Sequence, residues 1–363
     1  MFSYAANLLK LARNDRHLHP RVAIYYVTGQ CNLNCAYCED FGARRNAENP
    51  HPLPFEQVMR ILRVVRTGMD ALFLTGGEPL THPDIDRIVL AAKHELKFRE
   101  ISLVSNGLLL PDHEVLLPAI DRLIVSLDST DPQLWSRIIG APPASAQAIH
   151  ANVQRYAGMQ KQYGYRMIVN AVLTPETLPG AEALLEFCMG RVSPPLNVGR
   201  GTLPLLSFSP QAVNNWPRYE LTVSLAYRAF IQKLLRLKRR GAPILGSEAY
   251  LRTLLDLTPY DCYPALAPRI QPNGELAYPC RPLEKAANGQ GGRPVNLLDV
   301  QTWDEAWAIA YRAYGQPPRN CQSCFQQCYA EPSLMASQPL AYLGEWLRYP
   351  ASRDGNLSTY VPG

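Results

Sequence analysis

The sequence predicts an α/β fold built on a parallel sheet, and three observations carry that expectation. From residue 21 onward, short apolar runs rich in β-branched residues alternate with amphipathic helical stretches. The alternation repeats six times. Several of the helical stretches open on Pro, Asp or Ser, as in Thr81-His82-Pro83-Asp84. Such repetition needs right-handed crossovers and leaves two architectures, an open barrel or a doubly wound sheet. Both place their chemistry in loops after the strand C-termini.

The elements follow in order. Residues 2–14 pattern as an amphipathic helix, with Ser3, Asn7, Lys10, Arg13 and Asn14 on a polar arc and Phe2, Tyr4, Leu8, Leu9 and Leu11 opposite. This helix either docks on the domain or lies on a membrane surface. Strands are expected at 22–27, 71–75, 100–104, 122–127, 166–173 and 196–199, with helices over 54–67, 83–95, 112–118, 145–162 and 177–189 between them. After about residue 200 the rhythm changes. A long helix at 218–240 and a shorter one at 247–256 lead to two short strands at 269–270 and 275–278. These are joined by a turn at Pro272-Asn273-Gly274 and followed by a helix at 302–313. The expected organisation is an N-terminal helix (1–20), an α/β domain (21–200), a helical connector (201–257) and a small cysteine-bearing α+β domain with its tail (258–363).

Composition narrows the class. Hydrophobic residues make up 47% of the 363, enough for a large core, and no apolar run approaches the ~20 residues of a spanning helix. With no signal-peptide pattern, a cytoplasmic protein is the expectation. The net charge is only +5, and the basic run Lys233 to Arg240 sits inside a helical pattern without interleaved aromatics. It reads as a solvated face, and no nucleic-acid partner is expected.

The nine cysteines carry more information. Cys31, Cys35 and Cys38 form one group, Cys262, Cys280, Cys321, Cys324 and Cys328 another, and Cys188 stands alone. Clustered cysteines in a chain of this kind read as metal ligands rather than disulfides. A Cys-x3-Cys-x2-Cys run would arise by chance in roughly 0.5% of chains with this cysteine frequency. Three thiolates in a loop leaving a strand can wrap one face of an iron–sulfur cubane. A cubane ordinarily takes four cysteines, so three leave one iron open to an outside ligand. Structural zinc or buried free thiols are the plainer alternatives. After the second strand, Thr75-Gly76-Gly77-Glu78-Pro79 combines glycines that permit close backbone approach with a carboxylate able to pair with an ammonium.

These residues resemble the radical S-adenosylmethionine (SAM) superfamily, whose cluster loop reads Cys-x3-Cys-x-aromatic-Cys and whose second strand ends in Gly-Gly-Glu-Pro. The resemblance implies a partial (β/α)6 TIM-like barrel. It implies a [4Fe–4S] cluster on Cys31, Cys35 and Cys38, with SAM held by Gly76, Gly77, Glu78 and Pro79. Tyr37 would lie near adenine. Ser105 and Asn106 after the third strand, and Ser126 and Asp128 after the fourth, would line the same site, with Asn170 a further candidate. A plain turn or helix cap competes for these last positions. The implied activity is reductive cleavage of SAM to methionine and a 5′-deoxyadenosyl radical that modifies a substrate. A reducing donor such as flavodoxin or ferredoxin is implied as well.

The stretch from Pro272 to Cys280 resembles the hairpin of SPASM and twitch domains. Cys262, Cys280, Cys321 and Cys324 would then hold a second [4Fe–4S] cluster, zinc being the alternative. Cys328 is a fifth candidate for four places and the one expected to be spare. The short leader before the first strand favours a small molecule or lipid over a peptide, although a peptide maturase is the alternative reading. The N-terminal helix and the apolar stretch 340–346 point to a hydrophobic substrate and peripheral membrane contact. A non-catalytic iron–sulfur electron carrier or a zinc-stabilised binding protein would account for cysteines but not for Gly76-Gly77-Glu78 beside them.

Overall fold

The structure is a computed structural model and describes residues 2–13, 15, 18–38, 40–49, 51–191, 203–210, 220–280, 295–315 and 324–348. Six parallel strands form its centre: β1 (Ala23–Thr28), β2 (Ala71–Gly76), β3 (Glu100–Ser105), β4 (Arg122–Ser126), β5 (Arg166–Leu173) and β6 (Leu205–Pro210). Two short strands, β7 (Arg269–Ile270) and β8 (Leu276–Ala277), complete an eight-stranded sheet in the order β6-β5-β4-β3-β2-β1-β7-β8. Consecutive strands are neighbours from β1 to β6, so the sheet winds one way and has no reversal point. That separates a barrel-like sheet from a doubly wound one. β1 and β6 do not pair, and the barrel is partial.

Alternation along the strands sorts the core. Leu123 and Val125 of β4, with Met167 and Val169 of β5, are buried in the main apolar cluster shared with the helices. Ile124, Ile168 and Leu205 form a separate cluster with Phe73, Val104 and Leu245, a layer of the barrel interior. At the strand starts, Arg122 pairs with Glu100 in a buried ion pair.

The helices between strands are α2 (Phe55–Gly68), α3 (Ile85–His94), α4 (Pro132–Ile139), α5 (Pro143–Tyr163) and α6 (Ala181–Cys188), with α1 (Phe2–Ala12) ahead of them. α4 was not expected. It is capped by the Asp131 carboxylate accepting from the Gln133 N–H at 2.9 Å, and it ends on Gly140 in the left-handed conformation (φ 59°). The helix expected at 112–118 is instead a pair of 3₁₀ turns, Leu110–Asp112 and Glu114–Ala119. Pro111 and Pro118 deny it the N–H groups an α-helix needs. The strand expected at 196–199 lies outside the described residues, and the sixth strand is β6, further along.

α7 (Leu225–Arg239) starts later than 218 because Ser224 caps it, accepting from the Tyr227 N–H at 3.1 Å. α8 (Glu248–Asp256), α9 (Trp303–Tyr314), α10 (Gln327–Ser337) and α11 (Pro339–Arg348) follow. Two expectations about charge are corrected. Lys238, in the basic run read as a solvated face, is 3% exposed and lies 3.1 Å from Glu345 of α11. Asn7, placed on the polar arc of α1, is buried. It bridges the backbone of His19 through both side-chain atoms, at 2.7 and 3.0 Å, while Leu11 packs against the buried cluster of Leu18, Ala265 and Leu266, so α1 is docked on the domain.

The C-terminal residues are stitched to the barrel. β7 pairs parallel with β1 and antiparallel with β8, while the Trp303 N–H donates to Thr67 Oγ1 at 2.9 Å. Among the described residues no helix is long and apolar enough to cross a membrane.

Candidate active site

The loops at the C-terminal ends of β1 to β5 enclose a cavity of about 230 Å³. Its lining brings together most of the residues singled out from sequence: Cys31, Cys35, Cys38, Tyr37, Gly76, Gly77, Glu78, Ser105, Asn106 and Ser126. Pro79, Asp128 and Asn170 are not on its wall. Phe41, Trp135, Ile139 and Val172 supply an apolar wall that sequence reasoning missed. Trp135 and Ile139 come from α4, so overlooking that helix meant overlooking them.

The cysteine loop is held by backbone contacts and short polar side chains. Asn46 grips Cys31 twice, its Oδ1 accepting from the Cys31 N–H at 3.0 Å and its Nδ2 donating to the Cys31 carbonyl at 2.9 Å. The Asn34 and Ala36 N–H groups donate to the carbonyls of Ile139 and Ile138 at the end of α4, at 2.9 and 2.8 Å. Those carbonyls would otherwise be unsatisfied at a helix terminus. Arg44 Nη2 donates to the Cys38 carbonyl at 2.9 Å.

Gly76 and Gly77 explain themselves here in a way the sequence did not suggest. A Cβ on Gly77 would stand 2.2 Å from the Gln30 carbonyl oxygen, and one on Gly76, whose φ is 149°, would stand 2.3 Å from that of Thr28. The close approach these glycines permit is to the cysteine loop itself. The Gly77 and Glu78 N–H groups then donate to the Thr28 and Gln30 carbonyls at 2.9 and 2.8 Å. Glu78 carries the clamp to a third strand, because its side chain accepts from the N–H groups of Leu80 (3.1 Å) and Asn106 (2.7 Å).

Burial sets the protonation chemistry. It pushes the Cys31 thiol up to about 11 and raises Cys35 and Cys38 as well, with the charges of neighbouring thiols adding to the effect at Cys31 and Cys35. Burial likewise raises Glu78 to about 7 against the opposing backbone hydrogen bonds. Asp128 is also raised to about 7 by burial. Its oxygens accept from the Tyr37 hydroxyl at 2.5 Å and the Val172 N–H at 2.8 Å. Asp128 therefore fixes Tyr37 and the β5 edge of the cavity from behind.

Among the described residues no three Cys, His, Asp or Glu side chains converge as ligands of a single metal ion. Thiolates of a cubane bind separate irons and stand further apart than thiolates sharing one ion. Three thiols lining one wall without meeting at a point fit the larger group.

In the C-terminal part, the expected hairpin is present, turning through Gly274 at φ 87°. Cys262 and Cys280 are buried, Cys324 and Cys328 are partly buried, and Cys321 lies outside the described residues. Cys188 is fully buried in α6 and takes no part in either group.

A partial parallel barrel with a three-cysteine loop and a Gly-Gly-Glu turn at its mouth defines a radical SAM type of site. Residues 25–188 match the radical SAM superfamily model, and that segment is a radical SAM domain. The superfamily uses a [4Fe–4S] cluster and SAM. Among curated proteins, the chain is similar to a GTP 3′,8-cyclase of Mycobacterium marinum, 32% identical over 228 residues, which cover 60% of this chain and 58% of that protein. It is also similar to a probable GTP 3′,8-cyclase of Methanothermobacter marburgensis, 37% identical over 125 residues, covering 34% of this chain and 40% of that one. The chain thus spans only about half the length of the curated relatives it matches. Among solved structures, Streptococcus suis SuiB bound to SAM superposes with a TM-score of 0.61 at 18% identity, covering 84% of this chain and 69% of that one. The anSMEcpe structure with bound AdoMet gives 0.54 at 15% identity, covering 92% and 94%. Both likenesses concern the fold.

Gly77→Ala puts a methyl against backbone that cannot move without carrying the cysteine loop. Overpacking of this kind costs about 1–3 kcal/mol. The expected outcome is a lowered thermal midpoint together with weakened iron uptake on anaerobic reconstitution. Wild-type iron content and midpoint in this variant would refute the clamp.

Proposed function

We propose that the chain is a radical SAM enzyme acting on a small-molecule substrate, with Cys31, Cys35 and Cys38 as the thiolates of its SAM-binding cluster. One observation carries the reading: the three thiols line the same cavity as Gly76, Gly77 and Glu78. When bound, the reduced cluster supplies the electron for reductive cleavage of SAM, the source of the radical that acts on substrate. The chain supplies the rest. The buried thiols give up their protons on ligation, which makes cluster loading favour higher pH. Glu78 would offer lone pairs to the ammonium of SAM beyond those used by Leu80, Asn106 and Ser105, and Asn106, Ser126 and Tyr37 line the same cavity. Phe41, Trp135, Ile139 and Val172 exclude water from the reacting atoms.

The small-molecule reading is supported by similarity to proteins named GTP 3′,8-cyclase, an activity on a nucleotide. A reducing protein such as flavodoxin or ferredoxin would deliver the electron. A lipid-like substrate is a second reading, favoured by one feature: Leu340, Leu343 and Leu347 of α11 are 81%, 53% and 59% exposed at helical spacing. Liposome co-sedimentation tests it, and a protein wholly in the supernatant removes its basis.

Anaerobically reconstituted protein given dithionite and SAM is expected to release 5′-deoxyadenosine. Cys35→Ala should abolish that release while leaving the circular dichroism spectrum intact. Tight zinc binding without iron uptake would instead support a structural binding protein. A pH dependence follows from Glu78. Its raised value means that, without ligand, the folded protein prefers the protonated side chain. The stability this confers is present at low pH and lost as pH rises through about 7. An ammonium prefers the ionised carboxylate, so SAM affinity should rise roughly tenfold between pH 6 and pH 8. Glu78→Gln should flatten that rise, and an unchanged profile would remove Glu78 from the SAM site.

A further inference from the structure

Arg269 of β7 is 5% exposed, and none of its contacts among the described residues is a carboxylate. Nη1 donates to the Tyr26 hydroxyl at 2.6 Å. Nη2 donates to Gln326 Oε1 at 2.5 Å and to Cys328 Sγ at 2.9 Å. The guanidinium lies 4.6 Å from the Tyr329 ring centroid and 5.8 Å from that of Tyr26. Nε is buried as well and has no hydrogen-bond partner among the described residues. A guanidinium remains charged at any working pH. Burying it without a counter-anion is strongly unfavourable. Aromatic faces and one amide offset part of that cost, and no carboxylate among the described residues offsets the rest.

Two of the cysteines lie near this cation. Cys328 and Cys324 are within electrostatic reach of Arg269. Tyr260 feels the charges of Cys324, Cys262 and Cys328, and Tyr329 those of Cys280 and Cys328. Cys328 is the member common to all three buried groups. It also sits in the first turn of α10.

We propose that Cys328 is a ligand thiolate of the C-terminal iron–sulfur site rather than the spare cysteine, and that Arg269 is its counter-cation. The proposal rests on reading the C-terminal cysteines as a cluster site. A thiolate-bound cubane is a net anion, and it would supply the counter-charge that Arg269 lacks among the described residues. An N–H donated to a ligating sulfur stabilises the more reduced, more negative state, so Arg269 should raise the reduction potential of this cluster. Arg269 acts here as a positioning residue. Through Tyr26, whose ring lies 5.6 Å from that of Phe41 on the SAM-cavity wall, it also places this site in direct packing contact with the first.

The test uses the full chain with Cys31, Cys35 and Cys38 all changed to Ala, which isolates the second site. Anaerobic reconstitution should give about four irons per chain. Adding Cys328→Ala should lose the cluster or leave a three-iron signal by electron paramagnetic resonance, and Cys328→Ser should shift the spectrum. Arg269→Gln should keep the iron but move the midpoint potential downward, and Arg269→Lys should restore part of the shift. Four irons and an unchanged spectrum after Cys328→Ala would overturn the ligand assignment. An unmoved potential in folded Arg269→Gln would overturn the counter-cation. A triple-alanine background that takes up no iron would overturn the second-cluster reading, and this proposal with it.

Discussion

The contact on which the site depends is one of backbone against backbone. The end of β1 and the end of β2 approach so closely that no side chain fits between them, and Gly76 and Gly77 occupy the positions where a Cβ would meet a carbonyl oxygen. Two hydrogen bonds close the gap, and Glu78 extends the same clamp to β3 through Asn106. A loop of three cysteines has many conformations open to it, and fixing each residue costs about 1–2 kcal/mol of chain entropy. Tying the loop to β2, to Asn46 and to the end of α4 meets that cost before any cluster arrives. The three cysteines and the turn of Gly76, Gly77 and Glu78 are positioned by a single set of contacts, so distortion of one displaces the other.

The cavity is also a place where the fold accepts unfavourable protonation equilibria. Three thiols and two carboxylates are raised by burial, and at none of them is a cation the leading influence. A protein selected for stability alone would place apolar side chains there. Clusters of groups shifted in this way are concentrated at functional sites. The two carboxylates divide the work. Glu78 lines the cavity, whereas Asp128 is turned away from it and spends both oxygens on Tyr37 and Val172.

The barrel strands β1 to β5 were legible because each is a short apolar run bounded by helical periodicity, a pattern that survives any tertiary context. The cysteine triad was legible because its spacing is rare. What escaped the sequence depended on residues that look like something else. α4 is only eight residues long and follows Ser129-Thr130-Asp131, which reads as a loop until Asp131 is seen to cap it. α10 contains Pro332 and buries the polar residues Glu331 and Ser333, so it shows no clean apolar stripe. The burial of Glu331 and Lys238 depends on partners more than a hundred residues away in some cases, and local pattern cannot announce such a partner. The glycines were recognised as points of close backbone approach, and spacing alone does not show that the cysteine loop is one of the surfaces they approach.

The C-terminal residues read differently once their attachment is considered. A separate domain joined by a connector would be free to vary its distance from the barrel. Here β7 continues the barrel sheet beside β1, pairing Ile24 with Arg269 and Tyr25 with Ile270. The strand that carries the cysteine loop at its end therefore carries the second cysteine group along its flank. Tyr26 is the residue on which this geometry turns: it receives a hydrogen bond from Arg269 on one side and packs against Phe41 of the cavity wall on the other. Strand pairing fixes register to a single residue, since a slip of one would turn Arg269 to the opposite face. The distance between the two cysteine groups is thus set by sheet hydrogen bonds rather than by a linker. Electron transfer between metal centres, or a substrate held against one while attacked from the other, would both require that fixed separation.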